Sequence, residues 1–185
     1  QLLLHYQPLY ESDGATLTGY EALVRWQHPN RGMVPPSQFI PLAEDTGLID
    51  GLGTWVLQEA CRQAASWPAP LSVSVNLSAA QFRRDDLLQT VVAALGEAGL
   101  PPTRLELEIT ESLLMNNTER VVRTLSAIGA IGVRIAMDDF GTGTSSLGCL
   151  RDYPFDVIKI DRSFVHDIAA NPDVLALIHA TVTLA

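Results

Sequence analysis

The sequence predicts an α/β domain in which parallel β-strands, each followed by a helix, close into a barrel. From about residue 50 onward, segments with the two-residue hydrophobic period of strands alternate with segments of helical period. Each predicted strand has one apolar face and one face with polar residues. No glycine-rich phosphate loop follows the first strand, which disfavours an open nucleotide-binding sheet. The 185 residues suit a single domain over residues 1–185.

The predicted elements follow one another in a regular order. Helices are predicted where apolar residues recur along one side of a helix, and strands where apolar and polar residues alternate. The predicted helices span residues 53–67, 87–99, 118–129 and 172–185, and the predicted strands span residues 71–76, 105–110, 133–138 and 157–161. Repeated strand–helix units imply a parallel sheet that is covered by helices.

The two faces of the strands favour a barrel over an open doubly wound sheet. In the first of these strands, Val73 and Val75 share one face, while Ser74 and Asn76 share the other. The other predicted strands alternate in the same way. Strands that helices bury on both faces have nearly continuous apolar sequences, so a polar second face indicates the interior of a barrel.

Charge, hydropathy and cysteine content narrow the classes of function. The formal net charge of −9 disfavours a nucleic-acid polymer as partner, but a small phosphate ligand stays compatible because bound divalent cations reverse the local field. No apolar segment has bilayer length and no signal peptide is visible. We therefore expect a cytoplasmic domain without membrane contact, either free or as the cytoplasmic portion of a membrane-anchored protein. Cys61 and Cys149 are expected to be reduced thiols.

Polar residues recur at the carboxyl ends of the predicted strands. Asn76, Glu108 and Asp138 lie at or near these ends on the polar face, where barrel enzymes have their active sites. Converging carboxylates repel one another unless they take up protons or share cations. Oxygen ligands that include one amide suit Mg²⁺ or Mn²⁺. Each acid taken alone could instead face solvent. However, these residues share the polar face at the same end of several strands, and this favours a metal site.

Short sequence blocks then occur in a specific order along the chain. They are Tyr6-Gln7-Pro8, Tyr20-Glu21-Ala22-Leu23-Val24-Arg25-Trp26, Phe39-Ile40-Pro41-Leu42-Ala43-Glu44, Val75-Asn76-Leu77-Ser78, Glu106-Leu107-Glu108-Ile109-Thr110-Glu111-Ser112, Asp138-Asp139-Phe140-Gly141-Thr142-Gly143 and Ile158-Lys159-Ile160-Asp161. A Glu-Ala-Leu triplet alone has no weight as evidence, but this ordered set covers nearly the whole chain. The set resembles the EAL domain family, the bacterial phosphodiesterases of cyclic di-GMP.

The resemblance implies a TIM-like (β/α)₈ barrel whose first strand runs antiparallel to its neighbours. The family's seventh strand, with an Ala-Glu-Gly-Val-Glu block, and its eighth strand, with a Gln-Gly block, have no match here. We therefore expect that the last two strands are missing from this chain, that the native protein extends beyond both ends, and that the 185 residues alone have little or no activity. Family members are often joined to sensory or GGDEF domains, and the resemblance implies a homodimer through the EAL domain.

The resemblance also implies a reaction, the hydrolysis of cyclic di-GMP to linear pGpG with two Mg²⁺ or Mn²⁺ ions. Two cations can neutralise the phosphodiester oxygens, acidify a bridging water and stabilise the leaving alkoxide. By residue, it implies catalytic roles for Glu21, Asp138 and Lys159; metal binding by Glu21, Asn76, Glu108, Asp138, Asp139 and Asp161; substrate binding by Gln7, Leu23 and Arg25; and anchoring of the loop at 139–146 by Glu111. In this scheme Asp138 bridges the two metals, and Lys159 holds the attacking water or a phosphate oxygen.

Some of these residues also have plainer explanations. Lys159 fits a surface lysine at a strand end, Arg25 fits a surface pair with Glu21 or Glu44, and Glu111 fits an acid favoured by a helix N-terminus. Thr144 also departs from the family, which commonly has an aromatic residue there. Two other functions compete with the enzyme, a receptor that binds cyclic di-GMP without cleaving it and a protein-interaction module. The retained metal ligands favour the enzyme.

Overall fold

A seven-stranded sheet with helices packed on it forms the part of the chain that the computed structural model describes, residues 1–116, 118–141, 153 and 155–163. The strands are β1 (Leu2–Tyr10), β2 (Leu17–His28), β3 (Gly32–Val34), β4 (Ser72–Asn76), β5 (Leu105–Thr110), β6 (Arg134–Phe140) and β7 (Val157–Ile160). The helices are α1 (Pro36–Thr46), α2 (Ile49–Ala65), α3 (Leu87–Ala98), α4 (Glu111–Asn116) and α5 (Thr118–Ala130), with 3₁₀ turns at Ala79–Arg83 and Pro102–Arg104. The predicted helix at 172–185, Cys149 and the loop from residue 142 to 146 lie outside the described residues.

The strand order is β1-β2-β4-β5-β6-β7, with the short β3 paired to β2. β1 pairs antiparallel with β2, and every pairing from β2 through β4, β5 and β6 to β7 is parallel. This topology confirms the predicted α/β architecture with an antiparallel first strand. Because β2 and β4 to β7 run in the same direction, their carboxyl ends meet at one edge of the sheet. No helix in the described ranges is long and apolar enough to cross a membrane.

The predicted elements agree with the observed ones apart from small shifts at their ends. The four predicted strands correspond to β4, β5, β6 and β7, and three predicted helices correspond to α2, α3 and α5. α2 begins four residues earlier than predicted, at Ile49. α1 was not predicted, because it contains Pro41, a residue that disfavours helix interiors, and because only Phe39 and Ala43 are buried, which leaves a weak apolar stripe.

The two faces of the sheet differ as the alternation predicts. One face carries the apolar side chains that pack with the helices in a single buried cluster, among them Val73, Val75, Leu105, Leu107, Ile109, Ile135 and Met137 from the strands and Leu57, Val91 and Leu125 from the helices. The opposite face carries Ser74, Glu106 and Glu108, which are also buried. The polar face is therefore an interior surface, and buried polar groups there require partners.

A close approach of two strands requires a glycine at position 19. Gly19 of β2 pairs with Ser72 of β4, and a Cβ at position 19 would lie 2.4 Å from the Ser72 carbonyl oxygen. Gly19→Ala should therefore push β2 and β4 apart and lower the free energy of unfolding by about 1–3 kcal/mol. Urea denaturation measures the change.

The matched control is Gly51→Ala in α2, where a new Cβ meets no heavy atom within 4 Å. This change should be neutral or stabilising, by up to ~1 kcal/mol, because alanine favours the helix. Equal effects of the two substitutions would contradict the close approach of β2 and β4.

Candidate metal centre

Four polar side chains meet at the carboxyl ends of the parallel strands. Asn76, the last residue of β4, donates a hydrogen bond from Nδ2 to Oε1 of Glu21 on β2 at 2.8 Å. Lys159 of β7 pairs through its ammonium group with Oε1 of Glu108 on β5, and its Nζ lies 3.9 Å from Oε2 of Glu21. We call Glu21, Asn76, Glu108 and Lys159 the strand-end cluster. The structure thus brings together four of the residues that the sequence singled out, from four different strands.

Glu108 is the most buried member of the strand-end cluster, with a side chain that has no exposed area. Its Oε1 faces Lys159, but its Oε2 has no hydrogen-bond partner within the described ranges. The pKa of Glu108 is raised to about 7, chiefly by burial and also by the charges of Glu21 and Asp138, while Lys159 opposes the shift. A buried carboxylate oxygen beside other acids and without a donor is a position where a divalent cation fits.

Lys159 is held in its charged form by the same acids. Burial alone would lower the pKa of its ammonium group, but the charges of Glu108, Glu21 and Asp138 outweigh that effect and raise it. The side chain keeps 22% of its surface exposed. Lys159 therefore lies inside the strand-end cluster and is not a free surface lysine.

A β-bulge presents two adjacent acids to the same region. Met137 of β6 pairs with Ile158 and Phe140 pairs with Ile160, so that Asp138 and Asp139 together lie opposite Lys159 alone. Asp139 has the left-handed backbone angle φ 55°, a conformation that aspartate tolerates better than most residues. Burial raises the pKa of Asp139, as do the charges of Asp138, Asp161 and Glu21. The bulge thus concentrates negative charge beside the strand-end cluster.

The acids do not form a closed ligand set on their own. Among the described residues, no group of three or more His, Cys, Asp or Glu side chains is arranged to hold a metal ion. Asp161, predicted as a ligand, accepts hydrogen bonds at Oδ1 from the backbone and side chain of Ser163. The Ser163 hydroxyl, followed by its backbone N–H, is the main reason that the pKa of Asp161 is lowered.

The predicted substrate residues lie on β1 and β2. Gln7 pairs with Glu21 in the strand register and is exposed. Leu23 and Arg25 line a cavity of about 290 Å³ that also reaches Asn76 and Ser78. Arg25 donates from Nη1 to the carbonyl oxygen of Val24 at 2.9 Å. In the described part of the chain, no ion pair joins Arg25 to Glu21 or Glu44, so the simpler surface pairing is not observed.

Glu111 connects the end of β5 to the turn after β6. It is the first residue of α4 and is buried, and its Oε2 accepts a hydrogen bond from the backbone N–H of Gly141 at 3.3 Å. Both explanations of Glu111 therefore agree with its position, since it begins a helix and also accepts a hydrogen bond from Gly141 within the loop at 139–146. Thr144 lies outside the described residues.

Two features of the site were missed by the sequence reasoning. One layer below the strand-end cluster, Ser74 donates to Oε1 of the buried Glu106 at 2.8 Å, and Arg134 lies 3.4 Å from Oε2 of the same carboxylate. Alternation along β5 places Glu106 on the same face as Glu108, and this pattern could have identified Glu106 as a second buried acid. The second feature is the bulge at Asp138 and Asp139. The local sequence, two acids followed by a phenylalanine, does not by itself indicate a bulge.

The backbone conformation at Asp139 can be tested separately from its charge. Asp139→Gly and Asp139→Ala both remove the carboxylate, but only glycine adopts a positive φ without strain. The alanine variant should be less stable than the glycine variant by about 1 kcal/mol, measured by urea denaturation. If alanine were the more stable of the two, the left-handed conformation would be contradicted.

The whole chain matches known proteins of one family. The family model described as "EAL domain" matches residues 1–185. The chain is 51% identical over 184 residues to an uncharacterized signaling protein of Caulobacter vibrioides, covering 100% of this chain and 23% of that protein. It is 45% identical over 188 residues to the bifunctional diguanylate cyclase/cyclic di-GMP phosphodiesterase MucR of Pseudomonas aeruginosa, covering 100% and 27%. The chain thus spans about a quarter of the length of the curated relatives it matches.

Solved structures give the same result. A MucR phosphodiesterase structure in complex with c-di-GMP superposes with a TM-score of 0.93 at 45% identity, covering 100% of this chain and 76% of that one. The EAL enzyme Bd1971, in a form with cAMP and cyclic di-GMP bound, superposes with a TM-score of 0.92 at 30% identity, covering 100% and 52%. The fold is therefore the TIM-like barrel of these domains, and the chain belongs to the EAL domain family.

Proposed function

We propose that this domain hydrolyses cyclic di-GMP to linear pGpG with the help of divalent metal ions. The observation that carries the proposal is the strand-end cluster, in which the buried Glu108, near the charges of Glu21 and Asp138, keeps one oxygen without a hydrogen-bond partner among the described residues. Membership of the EAL family and the activity for which the similar protein MucR is named support cyclic di-GMP as the substrate.

The residues that would hold the metals are oxygen donors on β2, β4, β5 and β6, together with Asp161 directly after β7. Glu21, Asn76, Glu108 and Asp138 would hold the first Mg²⁺ or Mn²⁺, and Asp139 and Asp161 would complete a second site next to it. When bound, the two ions supply charge neutralisation at the phosphodiester, an acidified water and stabilisation of the leaving alkoxide.

The remaining roles belong to side chains of this chain. The ammonium group of Lys159 would hold the attacking water or a phosphate oxygen, because it is charged and lies within the strand-end cluster close to Glu21. Arg25 would hold a phosphate oxygen from the neighbouring cavity, where Leu23 adds an apolar surface for the substrate. Gln7, opposite Glu21 on β1, would contact the substrate from the edge of the sheet. Glu111 would fix the loop after β6 through Gly141.

Homologous proteins also suggest how the domain is used. The curated relatives are about four times longer than this chain, and MucR joins a diguanylate cyclase activity to the phosphodiesterase. We propose that the native protein couples the domain to a sensory or GGDEF domain, and that two EAL domains associate as a homodimer.

Turnover tests the proposal directly. The full-length protein should cleave cyclic di-GMP to pGpG only when Mg²⁺ or Mn²⁺ is added, as followed by separation of the nucleotides. Glu21→Ala removes one proposed ligand and should lower the rate by more than ~100-fold. The circular dichroism spectrum should be unchanged, because Glu21 is not part of the apolar core.

The matched control is Glu106→Gln, which neutralises a buried acid one layer below. Glu106 is bound to Ser74 and Arg134 and has no proposed role at the metals, so metal-dependent turnover should persist. Tight binding of cyclic di-GMP without metal-dependent cleavage would overturn the enzyme and identify a receptor. Equal losses of metal-dependent turnover in Glu21→Ala and Glu106→Gln would contradict the assignment of the metal site to the strand-end cluster.

A further inference from the structure

The positive charge in the strand-end cluster comes from a residue that is unusual in this sequence. Lys159 is the only lysine among the 12 basic residues of the chain, and all the others are arginine. Its ammonium group pairs with Oε1 of Glu108 and lies 3.9 Å from Oε2 of Glu21. Glu21 and Glu108 are also the two acids of the cluster that the proposed function assigns to the metal.

The same two carboxylates cannot serve the ammonium group and a divalent ion equally well. A cation bound to Glu108 would lie within a few ångströms of Nζ, and two positive charges at that distance repel strongly where the side chains are largely buried. A metal bound at Oε2 of Glu108 therefore repels the ammonium group of Lys159 and weakens its contact with Oε1.

We infer that Lys159 is the counter-cation of the metal-free site, that it competes with the metal for Glu108 and Glu21, and that metal binding releases it. This inference rests on the proposed metal centre and adds to it a role in tuning affinity. In the metal-free protein, Lys159 offsets the repulsion of acids that are held together at the strand ends. In the metal-bound protein, the ammonium group is free to meet the substrate, so that the lysine becomes available only when the metal is present.

The choice of lysine over arginine follows from this exchange. A guanidinium group can bind a carboxylate through two parallel hydrogen bonds and stays charged in all conditions. An arginine at position 159 would therefore hold Glu108 more firmly and oppose the metal more strongly. An ammonium group on a flexible chain makes a single contact that can be exchanged at lower cost.

Metal titration without substrate tests the competition. In the full-length protein, Mn²⁺ binding is measured by titration calorimetry for the wild type, Lys159→Met and Lys159→Arg. The methionine variant should bind Mn²⁺ about tenfold more tightly, because the competitor is gone. The arginine variant should bind it more weakly than the wild type. Both variants should lose turnover, since each lacks the proposed catalytic ammonium group.

The control is Arg134→Met, which lowers the net charge by the same amount one layer below. Arg134 pairs with Glu106, and within the described residues no ion pair joins it to a proposed ligand, so its loss should change the Mn²⁺ affinity much less than the loss of Lys159. If Lys159→Met and Arg134→Met gained the same Mn²⁺ affinity, the gain would be a general effect of net charge, and the proposed competition would be overturned. Equal or weaker Mn²⁺ binding by Lys159→Met would overturn it as well, while leaving the proposed function intact. If no protein bound Mn²⁺, both the inference and the metal centre would be wrong.

A second measurement uses the wild type alone and so does not depend on the folding of a variant. The acetylation rate of Lys159 by acetic anhydride is followed by mass spectrometry of the peptide that contains it. Adding Mn²⁺ should raise this rate severalfold, because the ammonium group leaves its carboxylate partner and its amine becomes accessible. An unchanged or slower rate at saturating Mn²⁺ would contradict the release of Lys159.

Discussion

The structure depends on a buried carboxylate that requires a positive partner. Glu108 has no exposed side-chain surface and lies near the charges of Glu21 and Asp138. One of its oxygens contacts Lys159, and the other has no hydrogen-bond partner in the part of the chain that the structure describes. A charge in such a place is costly unless it is neutralised by a proton or by a cation. Lys159 supplies one positive charge. The surrounding acids are in excess of it, and this excess is the physical reason to propose a metal centre.

The rest of the fold explains why these groups meet. Parallel pairing from β2 to β7 brings the carboxyl ends of the strands to one edge of the sheet, and strand parity directs Asn76, Glu108 and Lys159 to the same face. The bulge in β6 inserts one extra residue, so that Asp138 and Asp139 both lie opposite Lys159. A layer below, Glu106 is satisfied by Ser74 and Arg134. The contrast between Glu106 and Glu108 separates a structural acid from a candidate ligand.

The sequence predicted most of the parallel strands and the convergence of polar residues at their carboxyl ends. Both follow from the two-residue alternation of apolar and polar side chains. It predicted Asn76, Glu108 and Asp138 as a cluster from the strand alternation alone, whereas Glu21 required the family resemblance because strand and helix periods alternate regularly only from about residue 50 onward. The bulge was not predictable, since a register shift depends on the partner strand. The Lys159–Glu108 pair also escaped prediction, because parity gives the face of a residue but not which neighbour it contacts.

The most direct test of a cation site at the strand ends is an X-ray structure of crystals grown with Mn²⁺, using anomalous scattering to locate the metal. The account predicts an anomalous peak among Glu21, Asn76, Glu108 and Asp138, at roughly 2.0–2.3 Å from their oxygens, with the ammonium group of Lys159 moved away from Glu108. An occupied metal site elsewhere, with Lys159 still paired to Glu108, would contradict it.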